Sequence, residues 1–163
     1  MNNTDVQMIL SDCQIDLNAV SLLVNSLGYS NDIVPYLSKY AIIKACGSVE
    51  VAFKSIITDW LSNGSTSQIR FYLSSKIRKS SRNPSYDNIC SLLNEFDTNW
   101  NTEFKDRVKA DPNYNRLKTS MQSLVDARNE FAHGGSPNVV ISDITTYFTD
   151  FQTVLEILDN VLS

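Results

Sequence analysis

The sequence predicts an all-α protein folded as a single domain over residues 1–163, and three observations lead there. Apolar residues recur at three- and four-residue intervals in almost every segment. Short stretches rich in Gly, Asn, Ser or Pro divide those segments at Gly28, Asn63-Gly64, Ser80–Pro84, Asp111–Asn113 and Gly134-Gly135. One segment is apolar nearly all round, the pattern of a helix that other helices surround. Together they give a bundle of about five or six helices.

Residues from about Asp5 to Leu27 carry Val6, Ile9, Leu10, Cys13, Leu17, Val20, Val24 and Leu27 on one helical face, and Gly28 is a natural stop. Asn31 or Asp32 can cap the second helix, with Pro35 in its first turn. That helix runs to about Ser62 and is the apolar one. Gly47 in its middle costs about 1 kcal/mol of helix propensity, which close approach of a neighbour could offset. Glu50, one turn later, is a carboxylate where burial is expected. A shorter helix follows over Ser65–Lys79. Ser85 can cap the next, through Ile89, Leu92, Leu93 and Phe96, with Trp100, Phe104 and Val108 continuing less regularly. Another carries Leu117, Met121, Leu124, Val125, Arg128 and Phe131 to an end near Gly134-Gly135. Val139-Val140-Ile141 fits either extended loop or strand, and Ser142 precedes a last amphipathic helix containing Ile144, Phe148, Phe151, Val154, Leu155, Leu158 and Leu162.

The first residues lack the charged, apolar and small-residue series of a secretion signal, and no apolar run reaches the ~20 residues of a membrane span. A soluble cytoplasmic protein is the expectation. Cys13, Cys46 and Cys90 are isolated and sit among apolar neighbours, so they read as buried thiols. With no CxxC pair and one histidine, neither metal nor cofactor is expected. The net charge of −4 argues against a general nucleic-acid coat, but its distribution is uneven. No basic residue precedes Lys39 or follows Arg128. Arg70, Lys76, Arg78, Lys79 and Arg82 fall in a stretch with no acid between Asp59 and Asp87. With Phe71 and Tyr72 interleaved, that stretch can hold an RNA backbone and stack a base. The plainer reading is a solvated helix face with its aromatics buried. Phosphate contacts predict RNA binding that weakens as salt rises.

The only histidine, His133, stands five positions after Arg128, where an apolar helical pattern meets two glycines. A five-residue step turns about 500° on a helix, so the two side chains converge only if the helix ends between them. Arg128 lies on the apolar stripe, where a guanidinium needs a carboxylate, a phosphate or an interface. Glu50 is the expected partner. The plainer alternative is an arginine and a histidine that only satisfy a helix C-terminus.

Arg128-Asn129-Glu130-Phe131-Ala132-His133 resembles the R-x4-6-H motif of the HEPN superfamily, with a polar residue directly after the arginine. The long second helix with Ser48 and Glu50, and the final helix after a glycine-containing loop, are also similar to that family. The resemblance is nearest to defence and toxin branches such as the RiboL-PSP-associated HEPN proteins. It implies a HEPN-like helical bundle acting as a metal-independent endoribonuclease, with two motifs meeting across a homodimer. His133 would act as base and, from the other subunit, as acid. Arg128 would stabilise phosphoryl charge, Asn129 would hold phosphate or orient His133, and Glu50 would hold Arg128 or raise the histidine's basicity. RNA is the implied partner, and an antitoxin or defence-system partner would be a separate chain. Gly135 departs from those HEPN toxins that carry a tyrosine two residues after the histidine, the target of a partner nucleotidyltransferase.

Two other functions are compatible with the sequence. A catalytically silent HEPN-like dimerisation and RNA- or protein-binding module would use the acidic ends and the basic patch. A nucleotide-binding regulator would keep the arginine but need no proton transfer. No basic recognition helix of a transcription factor stands out.

Overall fold

The computed structural model describes residues 1–163 and contains seven α-helices. In chain order they are α1 (Thr4–Leu27), α2 (Val34–Ser62), α3 (Ser67–Leu73), α4 (Tyr86–Phe96), α5 (Thr98–Ala110), α6 (Tyr114–Ala132) and α7 (Ile141–Val161). A π-helical turn over Ser74–Arg78 extends α3. No helix is long and apolar enough to cross a membrane.

Local chemistry explains most boundaries. The Asn3 side chain accepts from the Val6 amide to open α1, and Gly28 closes it at φ 81°. Ser85 caps α4 by accepting from the Asn88 amide. The start of α2 differs from expectation. Ile33 occupies the cap position, while Asn31 accepts from the Ile33 amide in a local turn before the helix. Ser142, expected just before the last helix, lies inside it, because α7 already begins at Ile141 and Val140 precedes it as an extended residue. Val139-Val140 is therefore loop, not strand.

The seventh helix comes from Asp97. Its extended backbone (φ −154°, ψ 120°) interrupts what the apolar spacing joins, and its carboxylate accepts from the Asn99 amide to start α5. The short third helix also differs. It starts at Ser67 with Thr66 as cap, and its last part widens into the π turn.

A single apolar cluster draws on every helix. At its centre α2 packs against α1, α3, α6, α7 and the π turn. Phe53, Phe104, Phe148 and Phe151 are fully enclosed, and Trp60 meets the edge of Trp100 to tie α2 to α5. Cys13, Cys46 and Cys90 are buried free thiols. Gly47 is not where a neighbour approaches closely: a Cβ there would meet nothing within 4 Å. Its side of α2 faces solvent.

Two buried charges hold elements together. Asp150 on α7 is 3 % exposed and accepts from Ser120 Oγ at 2.6 Å, with Arg116 of α6 at 3.0 Å. Lys54 of α2 is equally enclosed and bonds Glu50 Oε1 and the Ser80 carbonyl, both at 2.6 Å. A buried ammonium is tolerated because both contacts compensate its lost hydration.

Candidate active site

Arg128 stands just before the last turn of α6, Asn129 opens that turn, and His133 is the residue that ends the helix. The ending is a Schellman motif. The Gly134 amide donates to the Phe131 carbonyl at 3.0 Å, and the Gly135 amide donates to the Glu130 carbonyl at 2.9 Å. Gly134 takes φ 85°, which favours glycine, while a Cβ on Gly135 would lie 2.9 Å from the Glu130 carbonyl oxygen. The two glycines thus fix where the helix stops. His133 stands exposed at that stop, with its amide bonded to the Asn129 carbonyl.

Arg128 is half-buried, and its Nη1 donates to Asn129 Oδ1 at 3.2 Å. It forms no ion pair with Glu50. That carboxylate is taken by Lys54, one helical turn along α2, so the expected Arg128–Glu50 pair is replaced by an i,i+4 pair. The two groups nevertheless flank the same buried atom. Burial drives the Cys46 thiol up to about 12, the Arg128 charge opposes this, and the Glu50 charge adds to it. Arg128 therefore runs beside α2 with its guanidinium free of any carboxylate.

The spacing did not single out Lys39, which joins this corner. Its Nζ lies 5.5 Å from the centre of the Phe131 ring and 3.5 Å from Ser136 Oγ. A cation seven or eight residues past the expected cap of α2 was visible in the sequence, but its meeting with α6 depends on how the helices pack. Five surface cavities around the chain are lined by none of Arg128, Asn129, His133 or Glu50. The motif lies on an open surface.

Beside it, α2 exposes Tyr36, Tyr40, Ile43, Gly47 and Val51 in a continuous stripe. At about 100° per residue this stripe lies between the side of Lys39, Cys46 and Glu50, which meets α6, and the side of Lys44, which meets α1. An apolar stripe of this length on the central helix is unusual for a surface facing only water. Further along, the same side of the helix is covered where Lys54 reaches the Ser80 carbonyl.

The basic stretch divides in two. Arg78 pairs with Asp59 and donates to Ser55 Oγ, and Arg82 pairs with Glu95 at 2.8 Å. Both side chains serve the scaffold. Arg70 bonds the Ser65 carbonyl, and Lys76 and Lys79 are exposed without acidic partners. The aromatics are not buried as the plainer reading required: Phe71 is 75 % and Tyr72 55 % exposed, while Leu73 and Ile77 face the core. No group of three His, Cys, Asp or Glu side chains lies together as a metal-binding cluster.

A family model described as RiboL-PSP-HEPN matches residues 9–163. No curated protein and no solved structure matches the chain.

Proposed function

The chain belongs to the RiboL-PSP-HEPN family, and from that premise we propose that it is a metal-independent endoribonuclease of a toxin or phage-defence type, acting on RNA in the cytoplasm as a homodimer. One observation carries the reading. Arg128 and His133 sit at an exposed, glycine-fixed helix end beside an uncovered apolar stripe of α2. A second copy packed on Tyr36, Tyr40, Ile43, Gly47 and Val51 brings two such ends together. It also supplies the second histidine that a single chain lacks.

In that arrangement His133 of one protomer takes the proton of the RNA 2′-hydroxyl, and the oxygen attacks the adjacent phosphorus. The P–O5′ bond breaks, and His133 of the partner protonates the leaving 5′-oxygen. The products are a 2′,3′-cyclic phosphate and a 5′-hydroxyl, and the two histidines exchange protonation states. Arg128, free of any carboxylate, stabilises charge growing on the non-bridging oxygens. Asn129, already bonded to Arg128, orients the guanidinium or holds phosphate. Glu50, whose carboxylate is bonded to Lys54, does not hold Arg128 and takes no direct part in the step. Away from the site, Phe71 and Tyr72 offer stacking surfaces, and Arg70, Lys76 and Lys79 hold phosphates. Arg78 and Arg82 keep that segment in place. An antitoxin or other defence-system protein is a separate chain.

The test is cleavage of a labelled RNA pool in EDTA by wild type, Arg128→Ala and His133→Ala. Wild type leaves cyclic-phosphate ends, spares the matching DNA, and loses about a hundredfold or more of its rate in either variant while both stay folded. A folded wild-type dimer that cuts no RNA would move the reading to a catalytically silent binding module.

A further inference from the structure

Leu73 and Ile77, four residues apart, turn one side of α3 and its π turn to the core. Phe71, Tyr72, Lys76 and Lys79 are left exposed on the outer side. Tyr72 and Lys76 stand about one turn apart, so rings and ammonium groups are interleaved on a single face. Phe71 is the most exposed large apolar side chain of the protein. Neither ring stacks on another aromatic, and no cation of the chain lies over either.

The charge of this face is uncompensated. No acid occurs between Asp59 and Asp87, and neither Lys76 nor Lys79 pairs with a carboxylate. A strand of nucleic acid matches the layout, because its phosphates and flat bases alternate as the lysines and rings do. An anionic membrane fits it less well, since helices that lie on lipid keep their apolar and charged residues on separate faces. A duplex fits it poorly too, because paired and stacked bases offer no face to a ring. The face is also tied to the cleavage corner. Ser80, the residue after Lys79, accepts from Lys54 Nζ at 2.6 Å through its carbonyl, and the same buried ammonium bonds Glu50 Oε1 at 2.6 Å. Glu50 in turn flanks Cys46 together with Arg128.

We propose that this face selects the substrate class, taking unpaired RNA and rejecting duplex: unstacked bases lie on Phe71 and Tyr72, and the phosphates beside them on Lys76 and Lys79. The inference rests on the ribonuclease reading above. The substrate is then single-stranded RNA, or a loop or end of a folded RNA, held at a point away from the cleaved bond. Base identity matters little here, because every base has a face to stack and no buried polar group of the segment is aimed at a base edge.

The test uses the intact His133→Ala protein and a short labelled RNA without self-pairing, free or annealed to its complement, with binding followed by fluorescence anisotropy. The free strand binds about tenfold or more tighter than the duplex. Phe71→Ala and Tyr72→Ala each weaken it about tenfold, the loss of one base–aromatic stack, and Phe71→Trp restores binding where Phe71→Leu does not. Lys76→Gln and Lys79→Gln each lower the salt dependence of binding by about 0.7 in slope. In the cleaving protein, Phe71→Ala raises KM more than it lowers kcat. The proposal is overturned if duplex binds as tightly as the free strand, or if the Phe71 and Tyr72 variants bind like their parent. Binding to phosphatidylserine vesicles, with none to the free strand, also overturns it. A wild type that cuts no RNA, while free strands still bind through Phe71 and Tyr72, removes the ribonuclease reading and leaves this surface standing.

Discussion

Gly134 and Gly135 end α6 for different physical reasons, and the position of His133 depends on both. Gly134 needs a left-handed backbone, which costs an L side chain about 1 kcal/mol or more. Gly135 needs space, because a Cβ would lie 2.6 Å from Glu130 Cγ and 2.9 Å from its carbonyl oxygen. Gly134→Ala should therefore lower stability by about 1 kcal/mol in urea unfolding. Gly135→Ala should lower it further, since backbone as well as side chain must move. Both glycines were legible as a helix stop from their place after an apolar repeat. The partner of Arg128 was not. Glu50 reads as a lone carboxylate on a buried helix, and Lys54 takes it instead by standing one turn further on.

Between elements, the α1–α2 pair carries an electrostatic contact that can be checked by pH. Asp16 meets Lys44 at 2.7 Å, and that contact lowers the Asp16 carboxyl below its ordinary 3.8 and raises Lys44 above 10.5. A lowered carboxylate stabilises the fold at pH above 3.8, and the contribution is lost as pH falls through the lowered value. A raised lysine stabilises below 10.5, and the contribution is lost as pH rises past it. The pair is exposed, so the effect is small. Comparing urea midpoints of wild type and Asp16→Asn, the difference should be flat near neutrality and vanish in strong acid. Equal midpoints throughout would show that the contact contributes nothing. At the same scale, Asp97 illustrates a limit of periodicity. Apolar spacing through Phe96, Trp100 and Phe104 continues across the junction, while one aspartate ends α4 and caps α5.

For the whole molecule, the decisive feature is what covers the α2 stripe. Gly47 lies at its centre with open space around the missing Cβ. Gly47→Ala should therefore stabilise the isolated fold by about 1 kcal/mol through helix propensity alone. Gly47→Arg should fold equally well by circular dichroism, yet sediment as a monomer and lose RNA cleavage. A Gly47→Arg protein that remains a fully active dimer would place the interface elsewhere. Glycine at an exposed mid-helix position has no role within one chain, and a closely packed second copy would give it one.

Helical periodicity, turn residues and the Arg128–His133 spacing were set by the sequence alone, because each rests on interactions within a few residues. They fixed the all-α class, most helix limits and the position of the candidate catalytic pair. The three-dimensional packing decided which charges remain free. Lys54 occupies Glu50, Asp59 and Glu95 occupy Arg78 and Arg82, and Arg128, Lys76 and Lys79 are left without carboxylates. It also decided that Phe71 and Tyr72 face solvent, and that Lys39 of α2 meets the Phe131 ring and Ser136. These depend on contacts between residues far apart in the chain. Only burial of a shared core brings such residues together.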